Sequence, residues 1–224
     1  MSDRHTLILE TSTPMASLAT VGPCGRITER EFTSDRSHNA VLFSPLSELL
    51  DACGSASIGL VLVGSGPGSY SGTRVGIAAA QGVAIACGCP GVAVPSILAV
   101  PSAMEGAACL AIGDARRGSY WTARVGKSDT PDEPLLTDSD GLVAAVLAAR
   151  QEGIPVISFE DPERFPLQDE LKRLVRPEFP SAARLWRAWL ATSQETRARW
   201  MSRPPQPIYL KPPHITPAKR AWLL

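Results

Sequence analysis

The sequence has few of the residues from which self-contained catalytic or metal sites are built. Its 3 histidines are His5, His38 and His214, and none stands at metal-ligand spacing from another histidine, a cysteine or an aspartate. The 5 cysteines are odd in number and include no CxxC pair, which argues against a disulfide framework or a zinc ribbon. Cys87 and Cys89, separated by one glycine, read as small buried apolar groups. No HExxH and no Ser/His/Asp set stands out. Net formal charge is zero, so the chain as a whole is not a polyanion binder by charge. The stretch MSDRHTLILE lacks the long apolar core of a signal peptide, and a reducing cytoplasm is the expected compartment.

A hydrophobic fraction of 44% over 224 residues supports a sizeable core in one unit of two lobes, or in two small domains. The charge is unevenly spread. Residues 172–224 hold 11 basic and 2 acidic side chains, a balance of +9, and the rest of the chain carries −9.

The chain is organised around residues 58–87. Residues 58–63 are an almost unbroken apolar run, the pattern of a strand buried on both faces. The glycine-rich stretch 64–72 follows, and a helical run opens at Thr73. Strand, glycine loop and helix N-terminus is an arrangement that offers backbone N–H groups to an anion. The known phosphate loops are nonetheless missing. No lysine follows Gly72, as a Walker motif requires, and Ser69 stands where a dinucleotide fingerprint needs its third glycine. Ser65, Ser69 and Ser71 lack the flanking glycine pair of a nucleophile elbow. An anion contact and a purely structural turn both remain open. Gly72, Gly76, Ala80 and Ala84 recur every four residues and share one helical face. That face packs closely either on the chain's own sheet or on a partner's helix. The stretch is too short and too interrupted, by glycine and Gln81, to span a membrane.

These residues carry a resemblance. GSGPGSYSGTRVGIAAAQGVA (64–84) is very similar to the signature of the TsaB (YeaZ) family of bacterial tRNA-modification subunits. ILETSTPMASLATV (8–21), SHNAVLFSPLSELL (37–50), GVAVPSILAV (91–100), LAIGDARRGSYWTARV (110–125) and PIYLK (207–211) also resemble it, whereas residues 131–205 match only in outline. The resemblance implies an α/β fold of the two-lobed actin-like ATPase type, with mixed sheets flanked by helices. The expected lobes are 1–107, bearing the partner face, and a smaller 108–224, whose basic tail is free to return to the first lobe.

In that superfamily the first turn holds an aspartate near phosphate, and here Glu10 takes the position. Glu10, Thr11, Ser12, Gly66, Gly68 and Ser69 are therefore the candidates for a vestigial phosphate loop. The paralogous TsaD proteins carry an HxxxH metal site after a strand like 91–94. Ser96 and Val100 occupy those two positions here, so no metal and no catalytic residue is expected. The resemblance further implies a non-catalytic subunit that pairs with TsaD for threonylcarbamoyl transfer to N6 of a tRNA adenosine. TsaE would join as an ATPase, ATP and a metal ion would be used by those partners, and a homodimer would form alone. His38, Leu42, Leu46, Gly72, Arg74, Gly76, Ala80 and Ala84 are the expected partner face. The alternative is a stand-alone enzyme of the superfamily, an acyl or sugar kinase or a glycoprotease-like peptidase.

Along the rest of the chain, residues 7–9, 16–21 and 26–32 predict an antiparallel meander. A helix capped by Ser37 or Asn39 runs to about Leu50 with Pro45 inside it, and His38 reads as a surface or capping residue. A short helix over 97–107 breaks at Pro101. Residues 110–114 and 119–125 repeat the opening strand, acid, turn, strand order, with Asp114 in the place of Glu10. In that turn Asp114, Arg116 and Arg117 read first as turn formers, since aspartate bonds its own backbone there. Asp138 or Asp140 caps a helix over 142–150, and 155–159 reads as a strand. Helices are predicted over 168–175 and 182–201, the latter with Leu185, Trp186, Trp189 and Leu190 facing inward.

Overall fold

The computed structural model describes residues 4–33, 38–54, 57–106, 108–126 and 131–210, and of residues 38–40 the backbone alone. His214, Lys211, Lys219, Ser37 and the His38 side chain lie outside the described residues.

Strands β1 (His5–Glu10), β2 (Met15–Val21), β3 (Ile27–Thr33), β4 (Ile58–Gly64) and β5 (Gly91–Val94) form one sheet in the order β3-β2-β1-β4-β5. The first three are antiparallel neighbours, and β4 and β5 join in parallel. Strands β6 (Cys109–Asp114), β7 (Tyr120–Val125), β8 (Leu135–Thr137), β9 (Val156–Ser158) and β10 (Val175–Pro177) form the second sheet in the order β10-β9-β6-β7-β8. Its strand directions follow the same rule. Read from β8 to β10, it is the first sheet repeated, so the internal echo of the acid turns is a duplication of topology. This is the two-lobed actin-like arrangement.

Helix α1 (His38–Cys53) links β3 to β4 as α4 (Ser139–Glu152) links β8 to β9. Between β4 and β5 runs α2 (Tyr70–Cys87). Its counterpart between β9 and β10 is reduced to a 3-10 turn, Pro162–Arg164, and a single turn, α5 (Asp169–Lys172). Pro162 and Pro166 remove N–H donors that a longer helix there would need.

Alternation along β1 decides what covers each face. Leu7 and Leu9 pack with Leu42, Leu46 and Leu49 of α1 and with Ile77, Ala80 and Ala84 of α2. Ile8 points the other way, onto Ala182, Leu185 and Trp189. These belong to α6 (Ala182–Ala191), which follows the second sheet in sequence but packs on the first. A 3-10 turn, Ser96–Ala99, and α3 (Pro101–Met104) lead into a core between the lobes, where Ile97, Leu98 and Val100 meet Trp121, Ile157 and Phe159.

Several expected boundaries move. α1 runs on to Cys53, and α2 begins at Tyr70 because Ser69 caps it, its Oγ accepting from Gly72 N at 3.2 Å. Residues 168–175 hold only one helical turn, since Val175 starts β10 and pairs with Val156. The single helix expected over 182–201 is two, α6 and α7 (Gln194–Met201). Thr192 leaves helical geometry at ψ 141°, and Ser193 caps the second. Leu190 is consequently 53% exposed rather than inward. Asp138 caps α4, accepting from Gly141 N at 2.9 Å. Cys87 and Cys89 are half-buried, not buried.

Candidate functional site

The first acid turn and the glycine-rich loop meet at the carboxyl ends of β1 and β4, where open α/β sheets bind ligands. Here they close on each other. Ser69 N donates to Ser12 O at 2.6 Å, Gly66 N to Ser96 Oγ at 3.0 Å, and Ser65 N to Val94 O at 2.9 Å. Ser96 N returns a bond to Gly66 O at 2.9 Å, and Thr11 Oγ1 donates to Gly72 O at 2.8 Å. A Cβ placed on Gly68 would stand 2.2 Å from Ser12 O. Of the candidates Glu10, Thr11, Ser12, Gly66, Gly68 and Ser69, all are brought together. Their backbone donors Gly66 N and Ser69 N bond other parts of the chain. These two N–H groups are therefore not free to receive an anion in this arrangement.

Glu10 is fully buried. Its Oε1 accepts from Ser12 N at 2.8 Å, while Oε2 and the neighbouring Ser12 Oγ lack a partner in hydrogen-bond geometry. Burial holds the Glu10 carboxyl above the ordinary carboxylate range, and the nearby Ser12, Ser96 and Thr11 groups offset this only in part. Burial disfavours the charged form of the group.

In the second lobe Asp114 ends β6 as Glu10 ends β1. Its Oδ1 accepts from Arg116 N at 2.6 Å, the aspartate turn expected from the sequence. Asp114 N donates to Glu160 Oε2 at 2.8 Å. Burial, with the Asp114 charge beside it, raises the Glu160 pKa, and Arg164 and Arg116 counter this. Arg116 and Arg117 take φ values of 67° and 58°, a left-handed conformation unusual outside glycine.

The family model described as TsaD, tRNA N6-adenosine threonylcarbamoyltransferase, matches residues 31–158, more than half of the chain. The chain belongs to this family. Membership ties it to the tRNA threonylcarbamoyladenosine modification system. Two solved structures from Pseudomonas aeruginosa share its fold. An uncharacterized protein with similarity to peptidase YEAZ superposes with a TM-score of 0.68 at 20% identity, over 93% of this chain and 100% of that one. YeaZ superposes with a TM-score of 0.66 at 20% identity, over 92% and 100%. No curated protein matches the chain significantly.

Within this family setting, the two positions expected to align with the TsaD metal ligands have no ligand chemistry. Ser96 is fully buried with its Oγ bonded to Gly66 N, and Val100 is fully buried between the lobes. A hydroxyl held this way and an isopropyl group do not fit a transition metal. Among the described residues no three His, Cys, Asp or Glu side chains gather as a metal site. No helix there is long and apolar enough to cross a membrane.

The expected partner face needs correction. Leu42, Leu46, Gly72, Gly76, Ala80 and Ala84 are all buried in the chain's own core. A Cβ on Gly76 would meet Thr11 Oγ1 at 2.1 Å. The small-residue stripe therefore admits the β1–β2 turn, not a partner helix. The outward side of α2 carries Ser71, Arg74, Ala78, Gly82 and Ile85, all exposed. Ile85 is 81% exposed, as is 56% of Phe43 on α1. Period alone separates these faces poorly, because beyond Ser71 and Arg74 α2 is small or apolar on both sides. Of the basic C-terminal segment, Arg197 donates to Leu190 O and lies over the Trp189 ring, and Arg199 donates to Thr196 Oγ1. Arg197 thus joins α7 to α6, whereas the Arg199 bond lies within α7.

Proposed function

We propose that the chain is a non-catalytic subunit of a tRNA threonylcarbamoyltransferase assembly. It pairs with a TsaD-type subunit that holds the metal and the reacting groups. A TsaE-type ATPase uses the ATP, and a TsaC-type enzyme supplies threonylcarbamoyl-AMP. The work of the pair is transfer of the threonylcarbamoyl group to N6 of a tRNA adenosine, in the cytoplasm. The observation that carries this reading is the closed loop: donors that a kinase of this fold would aim at phosphate bond Ser12, Val94 and Ser96 of the same chain.

The partner face in this reading is the outward side of α1 and α2, around Phe43, Ala78, Gly82 and Ile85. Isolated apolar side chains need no explanation, but a small-residue track flanked by exposed Phe43 and Ile85 suits close approach of another helix. In the absence of the partner the same face pairs with a second copy. Reconstitution decides the matter. Transfer to tRNA by TsaD, TsaE and TsaC-type proteins should depend on adding this chain. If the chain alone hydrolyses ATP above a heat-killed control, or if transfer proceeds equally without it, the subunit reading fails.

A further inference from the structure

We propose that Tyr70, Arg74 and Tyr209 form a platform on which unpaired bases of an RNA strand stack. The choice of RNA rests on the tRNA-modification reading; the platform itself rests on the geometry. Tyrosine is on average only partly exposed, and here two lie side by side with Tyr70 62% and Tyr209 57% exposed. Their ring centroids lie 6.5 Å apart with the planes tilted by 50°. The Arg74 guanidinium carbon stands 4.9 Å from the Tyr70 ring centroid, and its Nη1 donates to the Tyr70 hydroxyl. Three planar groups thus share one exposed spot.

Each is held in place before any ligand arrives. Tyr70 is the first residue of α2, fixed by the Ser69 cap. Tyr209 is held by the chain before it. Gln81 Nε2 donates to Pro205 O at 3.0 Å, and Ile208 N donates to Ser65 O at 2.9 Å. Pro204, Pro205 and Pro207 further restrict this segment. A rigid platform loses little entropy on binding.

The charge points the same way. α2 contains no aspartate or glutamate. After Glu195 the sequence has none either, against six basic residues, Arg197, Arg199, Arg203, Lys211, Lys219 and Arg220. Neither segment that builds the platform repels a phosphate backbone. Tyrosine and arginine planes are the groups that stack splayed bases without regard to sequence. Arginine adds a donor fork for phosphate.

The test uses the full chain without other subunits and fluorescence anisotropy with a labelled oligoadenylate of about 12 nucleotides. A duplex RNA of the same length serves as control. The single strand should bind more tightly than the duplex. Tyr70→Leu and Tyr209→Leu keep apolar bulk without a ring, and each should weaken binding by roughly five- to hundredfold. Tyr70→Phe and Tyr209→Phe should retain most of it. Arg74→Gln should reduce the salt slope by about one. Equal binding of the leucine variants and the parent, at unchanged melting temperature, would overturn the platform. So would leucine variants that bind RNA normally but lose a TsaD-type partner, since the spot would then be a protein contact. Because no partner subunit is present, failure here leaves the proposed subunit role standing. A chain that binds RNA yet does not stimulate transfer would remove that role and leave the platform.

Discussion

Glu10 and Gly64 are fitted to each other: a Cβ on Gly64 would fall 2.0 Å from Glu10 Oε2 and 2.6 Å from Ser96 Oγ. Gly64→Ala should therefore destabilise the chain by about 1–3 kcal/mol, the usual range for overpacking. For a chain of this size that lowers Tm by roughly 2–12 °C. Glu10→Ala opens the space, so the double variant should be more stable than the sum of the two single changes implies. Strict additivity in a double-mutant cycle would show that the two positions do not press on each other.

The buried carboxyl makes stability depend on pH. Glu10 has a folded pKa above its unfolded value of about 4.3. The folded state holds the proton more tightly, so this contribution is complete below the unfolded pKa and is lost as pH rises through the folded one. Glu10→Gln cannot ionise. The difference in Tm between Glu10→Gln and the parent should move in favour of the variant as pH rises above 4.5. Parallel curves for the two proteins from pH 4 to 8 would contradict a raised pKa at Glu10.

Gly76 lies on the buried face of α2 and Gly82 on the exposed one, so they should respond oppositely. Gly76→Leu drives a side chain into Thr11, whose Oγ1 is engaged with Gly72 O at 2.8 Å. It should lower the Tm of the free chain, the overpacking exceeding the gain of about 1 kcal/mol from removing a helical glycine. A Cβ on Gly82 meets nothing within 4 Å. Gly82→Leu should leave folding intact or slightly improved. It should weaken capture of a TsaD-type partner about tenfold or more, together with Ile85→Asp. If Gly82→Leu captures the partner as the parent does, the outward face is not the docking face.

Thiol reactivity offers an independent check of the core. Burial, with the Glu178 charge adding to it, pushes the Cys109 thiol up to about 12. Cys24 is exposed. At pH 8 an alkylating reagent should modify Cys24 first and leave Cys109 untouched until the chain is unfolded. Mass spectrometry of the native protein finding Cys109 labelled as fast as Cys24 would disprove the packing between the lobes.

The sequence by itself determined the strand, glycine loop and helix at 58–87, the opening meander, and the repeat that sets Asp114 against Glu10. These signals are local: an apolar run, a glycine cluster and an aspartate turn impose their conformation on whatever surrounds them. It also put a hydroxyl and an isopropyl group at positions 96 and 100, a chemistry that belongs to the side chain alone. Tertiary structure alone decided which side of α2 faces in. Apart from Ser71 and Arg74 both sides are built of small and apolar residues, and the approach of Thr11 distinguishes Gly76 from Gly82. It likewise decided that Val175 leaves a helical pattern to pair with Val156, and that α6 packs on the first sheet. Which groups the loop's own N–H donors meet was decided by partners far along the chain. Ser96 lies 30 residues from Gly66, whose N–H it accepts, and no local pattern specifies a hydrogen bond across that separation.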